Sequence, residues 1–177
     1  MTFAEGTKPL SVVESLIAEL EHGIEVIRGL DDVGYASVKS GSSSIGAHIR
    51  HNLDFVNALL NGIATRRIDY NARSRDPRVE KGCEFAAEQL SVACRRLQGI
   101  SPEMFGRRLI VRSELDEYTW HTSSVSREIE FLHNHTVHHY ALIARFMTAA
   151  GQTVNESFGV APSTLRFRSQ GGGPYKS

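Results

Sequence analysis

The sequence has few cysteines, no excess of charge of either sign and no long apolar run. Two cysteines, Cys83 and Cys94, stand in 177 residues. They fall in a stretch that reads as one helix, too far apart along it to bridge each other. They are expected as small buried hydrophobes in a reducing compartment. Twenty Lys and Arg balance twenty Asp and Glu. A nucleic-acid binder generally carries a basic excess, so that class is set aside. No run of about 18 apolar residues is present, so no membrane-spanning helix is expected. Met1 to Pro9 show no basic start followed by an apolar stretch, so no secretory signal is expected and the cytoplasm is the expected compartment.

What is present is helical periodicity. Residues of hydrophobic type make up 41% of the chain, enough for a core without disulfides. After Ser11, a candidate N-cap, apolar residues recur at Val13, Ile17, Leu20, Ile24 and Ile27, in helical steps of three and four. Gly29 and the stretch from Leu30 to Gly34 end this first helix. Ser40 to Ser44 form a serine-rich link, one of whose serines can cap a second helix, read from about Ile45 to Gly62. Its stripe is Ile45, Ile49, Leu53, Val56, Leu60 and Ile63. A polar loop carrying Arg66, Arg67, Arg73 and Arg75 follows. Asp76 before Pro77 then starts a third helix, which runs to Gly99.

Residues 103 to 121 change period. Leu109 and Val111 alternate with Arg108, Ile110 and Arg112, and Tyr118 and Trp120 with Thr119 and His121, which predicts a short hairpin or extended crossover. A fourth helix starts at Ser123 or Ser124 and runs to about Ala150. The fold class is therefore all-α, a four-helix bundle over residues 1–150. Residues 151–177 read as an irregular tail, docked in part between Phe158 and Phe167.

Eight histidines are an unusual number for this length, and four fall between His133 and His139. His135 and His139 are four apart, which puts their Cβ atoms ~5–6 Å from each other on one helix face. They lie on the expected inward stripe Leu132, His135, His139, Leu142 and Phe146. A buried polar pair without partners costs ~1–3 kcal/mol per group, and one metal ion would satisfy both. Core histidines bonded to protein are the alternative. His133 and His138 fall off the stripe and read as flanking residues or as partners behind the ligands. The second helix offers a third ligand, His48 or His51, and periodicity favours His48.

The run Ser44-Ile45-Gly46-Ala47-His48-Ile49-Arg50-His51-Asn52-Leu53-Asp54 resembles the second-helix signature of the DinB superfamily of bacterial metalloproteins. Asn134-His135-Thr136-Val137-His138-His139 resembles its Asn-His-x3-His signature. The resemblance covers roughly residues 10 to 150. It implies that His51 is the third metal ligand, with His48 in reserve, and that Asp54 stands beside it. The Arg-Gly-Gln usual after the last histidine is replaced by Tyr140-Ala141-Leu142. The resemblance further implies one divalent metal ion (zinc, nickel or iron), a homodimer, and chemistry with a low-molecular-weight thiol and a small-molecule substrate. Family members include metal-dependent thiol S-transferases and a mycothiol-dependent maleylpyruvate isomerase.

The expected activity is accordingly that of a metal-dependent thiol S-transferase. A metal-dependent hydrolase and a non-catalytic, stress-associated metal-binding bundle are the competing readings. Glu128 and Asp54 are the candidate general bases. Glu128 has a competing role as a negative charge near a helix start, and Asp54 as a partner of a ligand. Arg66, Arg67 and Arg73 are candidate anchors for the thiol's carboxylates or plain loop charges. Tyr118, Trp120 and Phe158 either line a pocket or pack the core.

Overall fold

The computed structural model describes residues 11–38 and 43–171. Met1 to Leu10, most of the serine-rich link and the closing glycine run beyond Gly171 lie outside the described residues. The chain is mostly helical, with one small sheet. Helix α1 spans Val12–Arg28, a short α2 spans Asp32–Ala36, and α3 spans Ile45–Gly62. Strand β1 (Arg67–Ile68) precedes α4 (Pro77–Lys81) and α5 (Cys83–Gln98). Strands β2 (Arg108–Arg112) and β3 (Trp120–Ser124) lead into α6 (Val125–Ala149), and α7 (Pro162–Ser169) follows. No helix among the described residues is long and apolar enough to cross a membrane.

The long helices begin where local chemistry supplies a cap. The Ser11 hydroxyl accepts from the Glu14 amide at 3.2 Å, and the Glu14 carboxylate accepts from the Ser11 amide at 2.6 Å. These bonds satisfy two amides that have no partner inside the helix. Ser44 and Ser124 cap α3 and α6 in the same way, through the amides of Ala47 and Arg127. Helix α1 packs on α5 and α6, and α3 packs on the same two helices. The helical bundle closes over Leu16, Leu20, Ile27, Ile49, Leu59, Leu90, Leu97, Ile129 and Leu132, all fully buried. Burying one such side chain contributes ~1.5–3 kcal/mol. Gly46 is required for α3 to lie against α4, because a Cβ there would stand 2.0 Å from the Glu80 carbonyl oxygen.

Three expectations need correction. The third helix is not continuous: Gly82 is extended at φ −119, ψ 114 and divides α4 from α5. The freed Cys83 amide donates to Asp32 Oδ1 at 2.8 Å, a partner from α2 that no local pattern announces. The predicted hairpin forms, with Arg108 opposite Ser124 and Arg112 opposite Trp120, but it belongs to a three-stranded sheet. Its third member, β1, pairs parallel to β2 within what read as a plain polar loop. The tail is not irregular throughout, since Pro162 opens α7. Phe158 does dock, stacked on Tyr140 with ring centroids 4.8 Å apart, whereas Phe167 is 52% exposed.

Candidate metal centre

The buried line of α6 is Val125, Ile129, Leu132, Thr136, Tyr140, Ile143 and Met147. This is not the stripe expected from the sequence. His135 and His139 lie beside that line, half-buried, on the side that meets α3. Ring nitrogens of His51, His135 and His139 all fall within 4.8 Å of one another, the only such group of three metal-binding side chains among the described residues. His51 Nε2 and His135 Nε2 are 3.2 Å apart. Nitrogens held ~2.0–2.1 Å from one ion in a tetrahedral array stand about 3.3 Å from each other, so this spacing fits a shared ion.

The surroundings hold His135 in a form that can ligate. His135 Nδ1 donates to Asn52 Oδ1 at 3.3 Å, which leaves its Nε2 lone pair for the centre. His139 Nδ1 pairs with His48 Nδ1 at 2.9 Å. His48, favoured by periodicity as third ligand, therefore touches a ligand-type histidine from behind. Phe55 stacks on His135 at 4.5 Å, and Phe131 and Tyr70 extend this aromatic wall. Burial, followed by the nearby His51, holds His135 down at about 4. Burial and the nearby His135 hold His139 down at about 3. His51 and His48 are also lowered, chiefly by burial. The rings are neutral at physiological pH, the state in which imidazole binds a metal. Three nitrogen ligands around an apolar-walled space suit a borderline divalent ion and leave a further position open.

The other candidate residues are distributed unevenly around this centre. Asp54 is 6% exposed and bonded throughout: Oδ1 accepts from the Ser74 hydroxyl and the Arg75 amide, and Oδ2 from Arg50. It pins the 73–75 loop onto α3. Arg75 is held there at φ 52, a backbone conformation that costs a non-glycine residue ~1 kcal/mol or more. That loop delivers Arg73, whose Nη1 lies 3.1 Å from His51 Nδ1 and whose guanidinium sits 4.9 Å from the Phe55 centroid. Arg66 and Arg67 do not reach the histidines by any hydrogen bond. Arg66 is exposed at φ 59, with its carbonyl bonded to Ile110, and Arg67 covers the Trp120 ring at 4.1 Å.

Glu128 is buried, accepting from the Tyr70 hydroxyl at 2.8 Å and the Ser123 hydroxyl at 2.5 Å. It lines a groove of about 510 Å³ beneath the β2–β3 turn, together with Tyr70, Phe131, His121 and Arg127. Tyr70 and Phe131 are shared with the aromatic wall around His135. Tyr118 is exposed and Phe158 belongs to the core. His138 is exposed as a flanking residue would be, but His133 is buried, because α6 is covered by α1 as well as α3.

Sequence reasoning missed Asn52 and Thr136. Their signal was available: each is a polar residue in phase with a buried line, Asn52 between Ile49 and Val56, and Thr136 between Leu132 and Tyr140. Thr136 donates to the Leu132 carbonyl at 2.7 Å and lies 3.1 Å from Asn52 Oδ1. Compared with models of known protein families and with curated proteins, the chain matches none.

Proposed function

We propose that this chain is a DinB-type four-helix bundle in which His51, His135 and His139 hold one divalent metal ion, and that it is a metal-dependent transferase using a low-molecular-weight thiol. The observation that carries the reading is the convergence of three neutral imidazoles from α3 and α6, two of them held at Nδ1 by Asn52 and His48. Zinc, nickel and iron all suit this donor set. A metal bound there supplies one thing, a lowered pKa for a thiol that reaches it.

The chain's own residues do the rest. Asn52 and His48 fix the orientation of His135 and His139. Phe55 and Phe131 keep bulk water from the rings. Glu128, the buried carboxylate of the neighbouring groove, accepts the proton that the thiol releases. Asp54 serves by fixing the Arg73 loop, since its oxygens hold Arg50, Ser74 and Arg75 and it does not line the groove that Glu128 lines. The electrophilic substrate enters along the groove. The active species is a homodimer, with no role for nucleic acid or membrane. The test is consumption of small bacterial thiols with a chromogenic electrophile by metal-loaded protein. Turnover that chelation and H135A/H139A both abolish is expected; no turnover with any thiol tried, despite a loaded site, contradicts the transferase reading.

A further inference from the structure

Arg73 is a half-buried cation without a counterion. No acidic side chain pairs with it among the described residues. Its Nε is buried and has no hydrogen-bond acceptor. A buried N–H left without an acceptor carries a real penalty, and a lone guanidinium a larger one. Yet the loop that presents it is pinned by Asp54 at Ser74 and Arg75 and held in a strained backbone conformation. Strain maintained by such anchoring is a mark of a functional position.

The hydrogen-bond directions around Arg73 sharpen the point. A guanidinium only donates, so His51 Nδ1 must accept from Nη1. The single proton of a neutral His51 ring is then on Nε2, the atom facing His135 Nε2. His135 donates from Nδ1 to Asn52 and accepts at Nε2. Arg73, His51, His135 and Asn52 thus form one chain of donors running in a single direction. An ion at the centre needs the lone pair of His51 Nε2. The ring proton must then move to Nδ1, where it would face a guanidinium N–H at 3.1 Å, donor against donor. Arg73 cannot keep its position in that state.

We propose that Arg73 is a displaceable cation: it holds His51 when no metal is bound, swings off when His51 ligates, and then pairs with a carboxylate on the thiol that occupies the centre. This rests on the metal reading above and adds the ligand's chemistry, a small thiol that carries an anionic group. Charge supports that class. A divalent ion among three neutral imidazoles beside an unpaired guanidinium leaves a positive excess, while Asp54, the acid that acts on His51, already faces Arg50. A planar guanidinium suits a carboxylate through two parallel bonds.

The experiment uses the full chain loaded with cobalt(II), whose visible spectrum reports both the ion and a thiolate bound to it. Mercaptoacetate and 2-mercaptoethanol are the probes, alike in their thiol and differing in the anionic group. Wild type is expected to bind mercaptoacetate about tenfold more tightly than 2-mercaptoethanol, a factor typical of one charge-assisted contact. R73Q is expected to lose this preference and to bind cobalt more tightly than wild type, by about tenfold, because the competing donor and its positive charge are gone. R73M, which keeps the contact with Phe55, must show the same two shifts, so that a folding defect in one variant does not decide the matter. Weaker cobalt binding in both variants, or an unchanged preference for mercaptoacetate, overturns the proposal while leaving the metal centre intact. Absence of any cobalt spectrum in wild type overturns the metal reading, and this proposal with it.

Discussion

The two sides of α6 carry similar residues in different arrangements. On the side facing α3, His135 and His139 meet His48, His51 and Asn52, and both ring nitrogens of His51 and of His135 have partners. On the side facing α1, His133 and Tyr140 share the interior with Glu19 and His22. There Glu19 Oε2, His22 Nδ1 and the Tyr140 hydroxyl are buried without hydrogen bonds, although the first two stand 3.9 Å apart. Both sides hold titratable groups in a low-dielectric interior, but only the first brings three ligand atoms together. Convergence, not the number of histidines, makes the candidate site. The second side is an internal polar patch, tolerated because Gly23 leaves room for the Tyr140 ring: a Cβ on Gly23 would stand 2.0 Å from the tyrosine oxygen.

The sharpest separation comes from the histidines themselves. H135A or H139A is expected to abolish metal retention, while H133A keeps full metal content and loses ~1–3 kcal/mol of stability through the buried ring it removes. Metal content and denaturant midpoints measured side by side check this. Equal metal loss in H133A would erase the distinction between the two sides. N52A and H48A are expected to weaken metal binding by about 10–100-fold without removing it, as partners of ligands do; competition with a chelator of known affinity measures the shift.

Substitution on the α1 side acts on stability alone. G23A forces the Tyr140 ring to move and is expected to cost ~1–3 kcal/mol with metal affinity unchanged. The pH dependence should have opposite signs on the two sides. His135 and His139 have folded pKa values of about 4 and about 3, below the value of 6.5 in the absence of burial. Below pH 6.5 the unfolded chain therefore binds more protons, and metal-free stability falls as pH drops toward 4 and then 3. Glu19 is raised by burial, an effect that His22 and His133 partly offset. Its contribution is fully present below pH 4.5 and is lost as pH rises through its folded value. E19Q should remove the second dependence and leave the first, as read from melting curves across pH. The smallest effect is Y140F, which deletes a buried hydroxyl without a partner and is expected to be neutral or stabilising by up to ~1 kcal/mol.

The sequence made some features of this comparison visible and concealed others. Caps are local, so Ser11 and Asp76 marked helix starts correctly, as did the serine-rich link before α3 and the serine pair before α6. The choice between His48 and His51 was not local. Helix α3 buries Asn52, Leu53, Asp54, Phe55 and Val56 in succession, so its inner face is too broad for periodicity to rank two histidines at its edge. The His51 indicated by the DinB resemblance is the one that groups with His135 and His139. The break at Gly82 depends on Asp32, and β1 depends on β2, partners distant in sequence. Arg73 could not be distinguished from Arg66 and Arg67, because only the Asp54-pinned loop carries it to His51. His133 was misjudged because α6 is covered on two sides, which a single stripe does not express.

The central claim is that the α3-facing histidines form a metal centre. Its most direct test is elemental analysis of protein purified without a polyhistidine tag, beside H135A/H139A. Near-stoichiometric zinc, nickel or iron in the wild type, absent from the variant, is the predicted result. No metal in either protein, even after divalent ions are supplied and excess is removed, would contradict the account and leave these histidines as partners of one another in the core.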